Sequence, residues 1–328
     1  MSGTLAGKRV LVTGATGFIG GHLARRLHND GAHVLALERR PGSADGLRAA
    51  GIEVVRGDIT DRQRMAEIVA QGVEVVMHIA AWLGRGDVKN AYPVNVTATR
   101  DLAEVSAAAG VERFVFTSSI SVYGIRGGRD VDETTPLKLF NYPYGDTKIQ
   151  AEAALRQVAA ETGLKAVIVR PGMVYGPGSP TWTARLARWA KKGRMPLLSG
   201  GGASAFPIYI DNLLDLLVLA ATHPAAPGET FNAVDDGPIT MRDFLGAYMA
   251  MVPTTRAIRV PCWLARTAAF FAEPYFKRYR VAYIISQLCE GGQISNQKAK
   301  DVLGWEPRVS LHEGLRRSEA WLRAEGIL

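Results

Sequence analysis

Tyr144 and Lys148 stand four residues apart in the run YGDTK, so on a helix they share one face within a turn of each other. A phenol with an ordinary pKa of about 10 is a poor base at neutral pH. A neighbouring ammonium stabilises the phenolate and lowers that value. The same phenol can protonate an alkoxide as hydride reaches a carbonyl carbon, or accept the alcohol proton in the reverse direction. Ser119 lies 25 residues upstream of Tyr144, closing an apolar run, where its hydroxyl can hold the substrate oxygen. A tyrosine and a lysine at this spacing also occur on ordinary helix surfaces. Their weight comes from the elements that precede them.

The first of these is Lys8 to Arg39. An apolar run, Val10 to Val12, is followed at once by Gly14, Gly17 and Gly20, then by a segment with apolar residues at helical spacing up to Gly31. A second apolar run covers Val34 to Leu37. Strand, glycine turn, helix and strand form half of a mononucleotide-binding unit. One glycine permits the turn, one lets backbone approach a pyrophosphate, and one lets helix and strand pack closely. The helix start, at Thr16, Phe18 and Ile19, offers N–H groups to the anion. Further strands are expected at Ile52–Val55, Val73–His78, Arg113–Thr117 and Ala166–Val169. Asp58 and Ile59 follow the third strand, where Asp58 could accept from an adenine amino group or cap a helix; Asp61 is the preferred cap. Ala80 and Ala81 suit a close pass of the backbone by a bulky cofactor, and His78 suits packing or a local hydrogen bond. Asn95 falls in an amphipathic helix from Pro93 to Ala109. This alternation predicts an α/β fold, a doubly wound parallel sheet with helices on both faces.

Beyond Gly178 the rhythm changes, which predicts a smaller mixed α/β substrate lobe over 179–328, with segments near 206–235 returning to a nucleotide domain of 1–178. Short strands are expected at Ile208–Ile210 and Phe231–Val234, with Asp211 capping a helix from Leu213 to Ala221. Thr240 and Asp243 read as a helix cap. The aromatic stretch with Trp263, Phe270, Phe271, Tyr275, Phe276, Tyr279 and Tyr283 is expected mostly as core and pocket wall. An exposed interfacial helix within 262–276 is the alternative.

Composition narrows the classes. With 47% hydrophobic and 21% charged residues the chain is globular rather than disordered. Its net charge of +8 comes from scattered basic residues without a basic tail, which suits a protein with an anionic cofactor better than a nucleic-acid binder. Cys262 and Cys289 are the only cysteines, an argument against a disulfide scaffold and for a reducing compartment. Metal-site spacings are absent. MSGTLAGKR lacks an apolar signal region, and no run reaches about 18 apolar residues; a cytoplasmic location is expected.

The pieces TGATGFIG, GDITD, HIAA, Asn95, TSSISVYG, YGDTK, RPGMVYGPG, YIDN and LGWEP, spread along the chain in this order, resemble the extended short-chain dehydrogenase/reductase family of the NAD-dependent epimerase/dehydratase type. The nearest likeness is to its 3β-hydroxysteroid dehydrogenase-like branch. That resemblance implies a catalytic triad of Ser119, Tyr144 and Lys148, with Asn95 supporting the lysine through a water. It also implies that Lys148 holds the nicotinamide ribose, that Pro171 and its neighbours through Val174 line the nicotinamide, and that the protein is a homodimer. Glu38, 24 residues after Gly14, would pair with a ribose diol and favour NAD, whereas Arg39 and Arg40 would grip the 2′-phosphate of NADP; NAD is the expectation.

In this family a dehydratase often carries an Asp-Glu pair after the catalytic Ser/Thr, where this chain has Ile120-Ser121. Sugar-nucleotide enzymes commonly carry an arginine before the YIDN-like motif, where this chain reads GGGASAFPIYIDN. Both departures, with the aromatic stretch, point to a dehydrogenase or reductase acting on a fairly apolar alcohol or ketone. A sugar-nucleotide 4-epimerase with tightly bound NAD and a non-catalytic redox-sensing regulator are the alternatives.

Overall fold

Short β-branched runs alternating with amphipathic segments must each cover an apolar face, and here helices layer over both sides of a parallel sheet. The computed structural model describes residues 4–83, 87–124, 128–272, 285 and 288–328. The first half runs β1 (Arg9–Thr13), α1 (Phe18–Asn29), β2 (His33–Glu38), α2 (Asp45–Arg48), β3 (Glu53–Arg56), α3 (Arg62–Val69) and β4 (Val75–His78). A π-helical turn at Pro93–Thr97 opens α4 (Ala98–Ala108), followed by β5 (Arg113–Thr117), α5 (Pro143–Thr162) and β6 (Ala166–Pro171). Next come β7 (Met173–Tyr175), α6 (Arg185–Lys191), β8 (Arg194–Leu198), β9 (Ser204–Ala205), β10 (Pro207–Tyr209) and α7 (Ile210–Thr222). The chain continues through β11 (Thr230–Ala233), β12 (Ile239–Thr240), α8 (Met241–Ala250), β13 (Arg256–Val260) and α9 (Cys262–Ala272). Two further helices, Gln297–Leu303 and Leu311–Ala324, end the chain.

Seven strands form one sheet in the order β11-β6-β5-β4-β1-β2-β3, all pairs parallel. Side chains alternate across it, as a strand requires. Val10 and Val12 enter one core with Leu23 and Leu213. Leu11 enters the other, with Phe114, Phe116 and Leu155. The strand order reverses between β1 and β4, and an open sheet leaves a ligand crevice at the carboxyl ends of the strands around such a point. Thr13, His78 and the glycine turn all lie there.

Local signals decide the helix ends. The Asp61 carboxylate accepts from the Arg64 N–H at 3.0 Å and caps α3, and Thr240 with Asp243 closes a reciprocal box at the start of α8. Asp211 does not cap α7: the helix begins at Ile210 and Asp211 sits within its first turn, where a carboxylate favours the positive end of the helix instead.

The later segments form three small sheets, β7 with β10, β9 with β12 and β8 with β13. The YIDN and LGWEP pieces meet through Asn212. Its side chain donates to Asp235 Oδ1 (2.8 Å) and accepts from the Val309 N–H (2.9 Å), while Trp305 Nε1 donates to its carbonyl (3.0 Å).

Two readings need correction. Cys262 and Cys289 are joined in a disulfide, with Cα atoms 5.9 Å apart. A single bridge pins the first turn of α9 rather than making a scaffold, and it removes the cysteine argument for a reducing compartment. Trp263, Phe270 and Phe271 are exposed rather than core, because Ala265 and Ala269 are the buried positions among the described side chains of α9. Tyr275, Phe276, Tyr279 and Tyr283 lie outside the described residues.

Candidate active site

The glycine turn is built by steric need. Gly14 has φ +68°, and a Cβ there would stand 2.8 Å from the Ala80 nitrogen, so β1 and the end of β4 approach only without a side chain. A Cβ on Gly20 would overlap the Gly14 carbonyl oxygen, which is the close helix–strand packing that the spacing predicts. Gly17 is the N-cap of α1 and no side chain caps that end. We expect Gly14→Ala to weaken dinucleotide binding and destabilise the fold by about 2 kcal/mol, a Tm loss of roughly 3 °C for a chain of this length; calorimetry with and without NAD checks both.

Ala80 is held by a chain of buried bonds. Its N–H, with that of Ile79, donates to Thr13 Oγ1 (3.2 and 3.1 Å). The His78 ring spans Thr13 (2.8 Å) and Thr99 (2.9 Å), and the Thr99 hydroxyl donates to the Asn95 carbonyl at 2.7 Å. His78 is fully buried, which pushes its pKa down to about 3, with the Lys148 charge adding to the effect. It is therefore a neutral strut. Unfolding restores a pKa of about 6.5, so the unfolded chain binds the proton between that value and about 3, and stability falls as pH falls through this window. Relative to His78→Gln, wild type should lose about 2 kcal/mol of unfolding free energy between pH 7 and 5; urea melts at the two pH values measure this.

The strand end at β5 and the start of α5 bring the triad residues to one place. Ser119 caps a short turn, Ile120–Tyr123, and its Oγ accepts from the Ser121 N–H at 3.1 Å. Pro143 occupies the first turn of α5, where its missing N–H does no harm. Asn141 just before it has φ +58°, and Asp146 Oδ1 accepts from the Phe140 N–H at 2.8 Å. A Cβ on Gly145 would stand 2.6 Å from the Phe140 ring and 3.1 Å from the Ser121 carbonyl. That glycine, not singled out from the sequence, lets α5 approach the Ser119 turn.

Burial pushes the Tyr144 phenol up to about 12, and its hydrogen bond with Ser119 pulls the other way. Lys148 is 1% exposed; its ammonium donates to the Thr117 carbonyl at 2.7 Å and stands 4.4 Å above the Phe116 ring. Burial lowers its pKa to about 7, against the pull of Glu152. The expected lowering of the phenol by the ammonium is thus not met in this structure: burial raises the phenol, and the ammonium is bonded to the Thr117 carbonyl.

Asn95 sits in the π-helical turn. Its Oδ1 accepts from the Trp82 N–H (2.7 Å), and its Nδ2 donates to the Trp82 carbonyl (3.1 Å) and to Thr147 Oγ1 (2.9 Å). Its amide therefore ties the loop after β4 to the residue beside Lys148. Thr13, Thr99 and Thr147, which carry these bonds, were not singled out from the sequence; as small hydroxyl residues at apolar-element ends they resemble ordinary packing.

Other expected residues are placed differently. Glu38 ends β2, but its carboxylate accepts from the Ala44 N–H (2.9 Å) and from Arg48 Nη2 (2.5 Å). The carboxylate expected to pair with a ribose diol is thus shared with Arg48, which α2 returns over the strand end. Arg39 lies 4.0 Å from Asp58, whose Oδ1 accepts from the N–H and hydroxyl of Thr60. Ile59 and Val174 are buried in the two cores, Ala81 is partly exposed, Thr16 is exposed beside partly buried Phe18 and Ile19, and Pro171 ends β6 next to β11.

A family model described as the NAD dependent epimerase/dehydratase family matches residues 10–233. The chain belongs to this family. It is an enzyme family, and NAD is the cofactor that it implies. The residues fit that dinucleotide: the bare glycine turn and uncapped helix start lie at the strand-order reversal. Thr117 Oγ1, Ser121 Oγ and Trp82 Nε1, around the triad, are buried without a hydrogen-bond partner, as groups awaiting a ligand are.

The chain is similar to the 2-alkyl-3-oxoalkanoate reductase of Stenotrophomonas maltophilia, 31% identical over 95% of this chain and 98% of that one. It is also similar to the 3 beta-hydroxysteroid dehydrogenase/Delta 5-->4-isomerase of Mycobacterium tuberculosis, 35% identical over 72% of this chain and 67% of that one. Among solved structures it is similar to MoeE5 in complex with UDP-glucose and NAD, with a TM-score of 0.77 and 26% identity over 97% and 99% of the two chains.

Proposed function

We propose that the protein is an oxidoreductase interconverting a secondary alcohol and a ketone on a fairly apolar small molecule. NAD bound at the glycine crevice supplies the hydride acceptor or donor. Ser119 orients the substrate oxygen by hydrogen bonding. Tyr144 exchanges the proton with that oxygen, and Lys148 brings positive charge one helical turn from the phenol. Thr117, through its carbonyl, holds the ammonium in place.

The observation that carries the substrate class is the surrounding of the residue after Ser119. Ile120 and Tyr123 pack against the buried cluster Val131, Phe206, Val234 and Ile294. Phe206 comes from the segment before YIDN, where the chain places Ala205, Phe206 and Pro207 without a basic side chain to meet a diphosphate. Both curated relatives support this direction by name, one a reductase of a 3-oxo acid and the other a dehydrogenase of a 3-hydroxysteroid.

The test is a screen of sterols, aryl alcohols, 3-oxo acids and UDP-sugars with NAD and with NADP, following the absorbance of the reduced nicotinamide. The expected result is reduction of added NAD by an apolar alcohol, or oxidation of NADH by the matching ketone. Interconversion of UDP-sugars with no net change in nicotinamide would replace this reading with an epimerase. A protein that binds NAD but turns over nothing in the screen would favour a regulator.

A further inference from the structure

The helix α9 is built the wrong way round for a helix of a soluble lobe. Its inward positions, Ala265 and Ala269, are the small ones, and four apart they define the packed stripe. Trp263, Leu264, Phe270 and Phe271 face outward, at 68%, 46%, 73% and 68% exposure. Trp263, Thr267, Phe270 and Phe271 follow helical spacing and form one continuous outer face. Four large apolar side chains in three turns exceed the isolated exposed residues that need no explanation.

The strands and the helix end that precede this face are rich in basic residues. β13, which runs into α9 through Pro261, is exposed along its first four residues, including Arg256 and Arg259. It pairs in parallel with β8, so that Arg256 lies beside Arg194. Residues 179–210 and 244–272, which supply these elements, contain no Asp or Glu. Arg188, Lys191 and Lys192 at the end of α6 are exposed as well. Arg266 flanks the aromatic stripe and pairs with Glu290 at 3.4 Å. Among the described residues no helix is long and apolar enough to cross a membrane.

We propose that α9 docks this lobe onto the surface of a bilayer bearing anionic phospholipids, with Trp263, Phe270 and Phe271 entering the headgroup boundary and the arginines of β8 and β13 meeting the lipid charge. An aromatic face rimmed by cations is the composition that lies in this interface. A second copy of the chain fits less well, since a two-fold contact would bring the two basic rims together. Nucleic acid would satisfy the charge but leave the protruding Leu264 and Phe side chains in water. The disulfide at Cys262 ties the first turn of the helix to residue 289.

The experiment is sedimentation of the full chain with vesicles of phosphatidylcholine mixed with phosphatidylserine, and with phosphatidylcholine alone. Wild type should partition onto the anionic vesicles at least about tenfold more strongly, and added salt should weaken the binding. The triple variant Trp263→Ser, Phe270→Ser, Phe271→Ser should lose at least about tenfold of it, with an unchanged thermal melt because all three side chains are exposed. Arg256→Gln with Arg259→Gln should retain binding to both vesicle types but narrow the difference between them. Equal partition of wild type onto both vesicle types, or undiminished binding by the triple variant, overturns the proposal. So does a wild-type dimer that becomes monomeric in the triple variant while neither binds vesicles, or retention on duplex DNA in place of vesicles.

Discussion

Tyr144→Phe should lower kcat by roughly 10²–10⁴-fold while NAD affinity stays within about twofold. This corresponds to about 3–5 kcal/mol of transition-state stabilisation. The ring remains, so the half-buried packing at the start of α5 and the approach to Phe140 and Ser121 are retained. What is lost is the hydroxyl that hydrogen-bonds with Ser119 and that the proposed reaction uses to exchange a proton with the substrate oxygen. With its pKa pushed up to about 12, the phenol is un-ionised at neutral pH in all but about one molecule in 10⁵. In the oxidative direction of the proposed reaction the phenol can take the alcohol proton only as phenolate, so the scarcity of that form limits the rate. The rate in that direction should rise with pH in wild type, and the residual rate of the Phe variant should lack that dependence. Steady-state kinetics in both directions, with a fluorescence titration of NAD, provide the check. Turnover within about threefold of wild type would remove Tyr144 from the chemistry.

Much of this arrangement is legible in the sequence because it rests on local rules. The glycine spacing, the alternating apolar runs and the four-residue step from Tyr144 to Lys148 each encode geometry over a few residues. Asp61, Thr240 and Asp243 were legible as caps for the same reason. Residues that act across the fold were not. Arg48 reaches Glu38 only because a four-residue helix follows the glycine at 42, and nothing in the charge pattern ranks this pair above the competing Arg39 and Arg40. Thr13, Thr99 and Asn95 become a single hydrogen-bonded chain only when β1, β4 and α4 are packed. The outward face of α9 was ambiguous for another reason. Its apolar content suits a core helix, and only the positions of Ala265 and Ala269 against the lobe reveal which side is packed. Cys262 and Cys289 stand 27 residues apart in the sequence, and residue spacing alone does not pair two cysteines.

Lys148→Met should abolish turnover, by at least about 100-fold, and yet raise the stability of the protein. Among the described residues the buried ammonium has one hydrogen bond, to the Thr117 carbonyl, and one ring contact, fewer than its three donors can make. Its pKa drops from the ordinary Lys value to about 7, and that depression measures the burden of keeping the charge inside. Below about pH 7 both folded and unfolded chains hold the proton, and the folded state bears the whole burden. Between about 7 and 10.5 the unfolded chain holds a proton that the folded chain releases, so wild-type stability rises with pH across this window. A methionine of similar length fills the space without the charge, and replacing buried charge by apolar side chains gains about 1–4 kcal/mol in comparable settings. The lost bond to Thr117 offsets part of this, since a buried carbonyl without a partner costs about 1 kcal/mol or more. The net expectation is a Tm higher by a few degrees at pH 6, with the advantage over wild type shrinking as pH approaches 10. Thermal melts at pH 6, 8 and 10 measure it. If Lys148→Met melts below wild type at every pH, the lysine braces β5 against α5. If instead it is more stable and inactive, its burial is strain that the fold tolerates for the sake of the phenol one turn away.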